Sequence, residues 1–136
     1  MTQITSTDIA TRIEDLYDVP IGDLAVHAES QPPGMLSALL DMHAQVLRAE
    51  HTVTAHRARL GQLLSPEHIG RPEVSHLLDA ARGLSEAVAL RDGLAPLVFA
   101  VLQSLGRVPA PSPSPPAPAA PVPVGPARGE SAVPSR

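Results

Sequence analysis

Ile9, Ile13 and Leu16 stand four and three residues apart, which lays one apolar stripe along a first helix. Thr5, Ser6 and Thr7 just ahead of it offer N-cap hydroxyls, and Asp8 falls where the helix dipole favours negative charge. Val19-Pro20 ends this helix, because a residue before proline avoids the α region. Pro20 also suits the first position of a second short helix, where its missing N–H is not needed. That helix should run through Ile21, Leu24 and Ala25 to about Ala28.

Pro32-Pro33-Gly34 is a firm break. From Met35 to Leu64 there is no proline, and glycine occurs only at Gly61. Leu39, Val46, Val53 and Leu60 fall at seven-residue intervals, flanked by Leu36, Leu40, Leu47, Leu63 and Leu64. This spacing predicts one helix about 45 Å long, with a markedly polar centre in RAEHTVTAHRAR. Ser65-Pro66-Glu67 has the order of a helical turn start, and Gly70-Arg71-Pro72-Glu73 repeats that signal. Val74, Leu77, Leu78, Ala81, Leu84 and Val88 then mark a further amphipathic helix. Gly93 and Pro96 predict a kink or short break near residues 91–95. Leu94, Leu97, Val98, Val101, Leu102 and Leu105 carry the apolar face onward until Gly106, with Pro109 beyond it, stops the helix.

Two long helices joined by about seven residues should lie antiparallel. The expected fold is therefore all-α: an antiparallel helical hairpin over residues 31–106, with two short helices over residues 1–30. Such a hairpin leaves an apolar outer surface: the two N-terminal helices could cover part of it, and a second copy of the chain the rest, completing a four-helix bundle. Leu36, Leu39, Val46, Val53, Leu60, Leu77, Leu84 and Val88 are the expected interface positions of that homodimer. Residues 107–136 carry ten prolines after residue 108 and no aromatic residue, so a disordered, partly polyproline-II tail is expected there. Its PSPP (113–116) and PAAP (118–121) segments have the PxxP spacing that SH3-like pockets accept; a plain spacer would look the same.

Composition narrows the chemistry. With Tyr17 and Phe99 as the aromatics, the core must be built from Leu, Val, Ile and Ala, which suits closely packed helices better than strands. There is no cysteine, so disulfides, thiolate catalysis and cysteine-ligated zinc are excluded. All ten basic residues are arginine, the net charge is −4 and the isoelectric point is near 5.8. A balance of that sign disfavours unaided nucleic-acid binding. The N-terminal stretch lacks a secretory pattern, and the apolar run Leu94–Leu105 is shorter than the about 20 residues a membrane span needs. A cytoplasmic protein without membrane attachment is expected.

Six histidines raise the question of a metal. Glu73 and His76 have the Glu-x-x-His spacing of di-iron bundles, which also require a second such motif and two further glutamates. No second motif is present; the plain alternative places Glu73 in a first helical turn and leaves His76 solvated. His43, Glu50 and Arg57 recur every seven residues and form either polar layers that set helix register or a solvated stripe. His51 and His56, five apart, cannot share a metal unaided. Asp79 and Glu86 share a face with Arg82, as a solvated ion-pair face does. No Gly-x-Ser-x-Gly elbow or glycine-rich phosphate loop occurs, so neither catalytic residues nor a cofactor are expected. The alternative class is a metal- or small-ligand-binding bundle using His43, Glu50, His51 and His76.

Residues 9–24, IATRIEDLYDVPIGDL, resemble the last helix and following turn of Xre-type (Cro/repressor-like) helix-turn-helix domains. Ile13, Leu16, Val19 and Leu24 occupy that family's packing positions, and Tyr17-Asp18-Val19-Pro20 fits its turn. The recognition helix and the glutamine-bearing turn that make base contacts in the family have no counterpart here. The resemblance implies the regulatory, partner-binding half of such a regulator, with a gene start upstream of Met1, or a shortened relative that pairs with a full-length regulator.

Overall fold

A computed structural model describes residues 2–107; the proline-rich tail expected over residues 107–136 lies outside them beyond Arg107. The described residues form four helices and no strand: α1 (Ser6–Tyr17), α2 (Ile21–Glu29), α3 (Met35–Leu64) and α4 (Arg71–Gly106).

Local chemistry sets the ends. Thr5 is the N-cap of α1: its hydroxyl accepts from the Asp8 N–H at 3.2 Å, and the Asp8 carboxylate accepts from the Thr5 N–H at 2.8 Å. The Thr5 N–H and the Thr5 hydroxyl, each donating to the Asp8 carboxylate, hold its carboxyl below its ordinary range. Asp18 closes α1 in the left-handed region at φ 54°, a conformation aspartate tolerates better than most residues. Pro20 is the cap of α2, one residue earlier than a first-position proline, and has no side-chain acceptor to offer. Glu14 supplies one from α1 instead, accepting the Ile21 N–H at 2.8 Å.

Two expectations are corrected. Ser65-Pro66-Glu67 forms bends instead of a helical turn, because residues 64–72 are all exposed and no packed face holds a turn there. Helix α4 runs unbroken through Gly93 and Pro96, so the short break is not formed. Proline in a helix interior costs about 3 kcal/mol through its lost bond and steric clash. Here Pro96 is on the exposed side, where water can satisfy the freed Asp92 carbonyl, while Ala95, Val98 and Leu102 are buried on the inner side and hold the turns together.

The long helices α3 and α4 share the most extensive contact, and α1 packs on both; α2 reaches α3 and α1. The core is uneven. Ile9, Ile13, Leu39, Val46, Val98 and Leu102 are its largest fully buried side chains, and all belong to the cluster where α1 lies on the long helices. Toward the α3–α4 connection the buried residues are Ala49, Val53, Ala80 and Ala87, outside that cluster. The same half exposes Leu64, Ile69, Val74, Leu78 and Leu90.

Candidate functional site

Two features stand out, a polar anchor under α1 and an open groove on the far side of α3. In the anchor, Glu50 reaches from the middle of α3 to the first turn of α1. Its Oε1 accepts the Ser6 N–H at 2.7 Å, and its Oε2 accepts the Ser6 hydroxyl. Ser6 is 4% exposed, so the carboxylate satisfies groups that water cannot reach easily. The contact also sets a negative charge at the positive end of α1. His43, seven residues before Glu50, is half-buried beside the same turn. Burial pushes its pKa below the ordinary 6.5, and the Ser6 backbone and the Glu50 charge oppose that shift. Arg57, the third member of the heptad stripe, is exposed. The N-terminal arm adds a lesser contact, with the Gln3 amide against the Arg91–Asp92 pair of α4.

The groove lies between α3 and α4, with a volume near 470 Å³. Its floor is made of small residues, Ala49, Gly83 and Ala87, and its walls carry Arg48 and Thr52 from α3 and Glu86 and Leu90 from α4. Gly83 leaves room for the His56 ring, which lies across it: a Cβ there would come within 2.5 Å of the ring, so His56 would have to shift. Arg48 and Glu86 are both exposed, and among the described residues the ion pair present is Arg91–Asp92. Around α3, Arg48 and Glu50 point about 160° apart at 100° per residue, so the groove faces away from α1.

Of the interface positions expected from sequence, Leu39, Val46 and Val53 are buried inside this chain. Leu36, Leu60, Leu77, Leu84 and Val88 are half-buried. Of the metal candidates, His43 and Glu50 come together on Ser6, whereas His51 and His76 are exposed. Glu73 folds over Gly70 in the first turn of α4. Among the described residues no three His, Asp or Glu side chains converge as a metal site. Sequence reasoning missed the groove. Its available signal was Leu90 and Leu97, seven apart on α4 and off the buried stripe, 52% and 58% exposed.

Helix α4 is also long and apolar enough to cross a membrane by length and composition, and 17% of its most apolar 18-residue window is buried within the chain. No protein-family model, curated protein or solved structure matches this chain.

Proposed function

We propose that this chain is a non-catalytic helical interaction module that pairs with a second copy of itself. The observation that supports this reading is the uneven core. Half of the α3–α4 pair is sealed by α1 and large side chains, while the other half is held by alanines and exposes Val74 (45%), Leu78 (62%) and Leu90 (52%). Exposed aliphatic side chains of this kind, on helices that already bury one face, leave apolar area that association can cover. The register of the long helices favours an antiparallel hairpin: His56 lies against Gly83, and Arg48 and Gln45 share a groove with Glu86 and Leu90. Residue numbers thus fall on one helix as they rise on the other.

Protein association is favoured over a membrane span for α4 because Ala80, Ala87, Ala95, Val98 and Leu102, spread along its length, are buried within the chain. A link to transcription rests on residues 9–24: the module would be the regulatory half, or a shortened relative, of an Xre-type regulator, with the helix α1 and the start of α2 serving as a lid on the long pair. An in-frame helix-turn-helix in the DNA upstream of Met1 would support that link, and an in-frame stop codon leaves the shortened-relative form or a coincidental likeness. The self-association reading is tested by light scattering of the full chain across a concentration series. A dimer is expected; a strict monomer at high micromolar concentration refutes it.

A further inference from the structure

Resting on the self-association reading above, we infer that the two copies meet through the α3–α4 groove, with arginines of one copy set against acids of the other. The groove carries its charges in a self-complementary way. The α3 wall presents Arg48, and Arg59, eleven residues later, falls within about 20° of it around the helix. The α4 wall presents Glu86, and Asp79, seven residues earlier, is likewise within about 20°. All four are exposed, and none has an ion-pair partner among the described residues of its own chain.

A two-fold axis running along the groove places α3 of one copy over α4 of the other. Each Arg48 then faces Glu86 of the second copy, each Arg59 faces Asp79 of the second copy, and every contact occurs twice. With α3 and α4 antiparallel within each chain, this arrangement also makes every neighbouring helix pair in the four-helix bundle antiparallel. A two-fold axis across the helices would instead set arginine against arginine, which the charges oppose. The floor of Ala49, Gly83 and Ala87 lets the helices approach closely, and the exposed Leu90 and Leu97 supply apolar area beside the charged pairs. The heptad stripe Leu39, Val46 and Val53 takes no part, because it is already buried within the chain.

A charge-swap experiment on the full chain tests this. R48E sets acid against acid at both symmetric sites, and E86R sets arginine against arginine. Each variant alone should raise the dimer dissociation constant about tenfold or more, because symmetry doubles each change. An equimolar mixture of R48E and E86R restores both opposite-charge pairs, so heterodimers should form with nearly wild-type affinity. L97E, at an exposed position on the same face, should weaken the dimer independently. Sedimentation velocity reads all five samples, the wild type included, with circular dichroism to establish that each is folded. If the wild type dimerises and the single variants dimerise equally well, or if the mixture stays monomeric, this interface is wrong while self-association stands. If the wild type never dimerises, both inferences fall.

Discussion

Replacing Glu50 with alanine should be among the most damaging changes that can be made at a half-buried polar position in this chain. The substitution strips the Ser6 N–H and the Ser6 hydroxyl of their acceptor at once, in a place where Ser6 is 4% exposed. Hydrogen bonds to a charged group contribute about 1.5–3 kcal/mol each, and a donor left buried without a partner costs about 1–3 kcal/mol. Some of this is returned, because the carboxylate no longer has to be desolvated. The expected loss is about 2–4 kcal/mol, a large share of the about 5–15 kcal/mol that stabilises an ordinary domain. Glu50→Gln keeps an oxygen for the Ser6 N–H and loses the charge at the α1 N-terminus, so its cost should be nearer 1 kcal/mol. Urea denaturation followed by far-ultraviolet circular dichroism, at one fixed protein concentration, measures these differences. A double-mutant cycle with Ser6→Ala isolates the hydroxyl contact, and a coupling of about 1 kcal/mol or more is expected. A loss below about 0.5 kcal/mol for Glu50→Ala, the size of an ordinary surface change, would refute the anchor.

Other consequences follow from the same geometry. Because burial lowers the His43 pKa below 6.5, the folded chain binds fewer protons there than the unfolded chain. Stability should be intact above that value and fall as pH drops through 6.5 toward the folded pKa; His43→Gln should flatten this part of the pH profile, and an unchanged profile would contradict the assignment. Gly93 has open space around its Cα, so Gly93→Ala should stabilise α4 by about 0.5–1 kcal/mol in thermal melts, whereas Gly83→Ala should gain less or lose, since its methyl would meet His56. Leu102→Ala removes one of the largest fully buried side chains and should cost about 2–5 kcal/mol in chemical denaturation, against little for the exposed Val26→Ala. Added zinc, iron or manganese should leave the melting midpoint in place, and a rise with any of them would favour the metal-binding alternative.

The helices were legible because their cues are local. Thr5 and Asp8, the Val19-Pro20 pair, the double proline before Gly34 and the Gly70-Arg71-Pro72-Glu73 start each act over a few residues through hydrogen bonding and backbone sterics, and the helix ends fall close to them. The stripe Leu39, Val46 and Val53 was equally visible as an apolar face. What covers a face is not a local property: other helices of the same chain, α1 among them, bury these residues, and a seven-residue repeat cannot distinguish that from a second copy. Pro96 shows the same limit, since its local preference to break the helix yields to Ala95, Val98 and Leu102 packed on the inner side. Spacing alone put His43 and Glu50 on one stripe, but their role needed the first turn of α1, which is 44 residues away in sequence from the carboxylate that holds it. The groove depends on Gly83 meeting His56 and on Arg48 standing across from Glu86, pairings between separate helices. Sequence by itself thus determined where the helices begin and which faces are apolar; the tertiary structure alone decided which face is sealed inside the chain and which stays open, because burial is fixed by the crossing of distant segments.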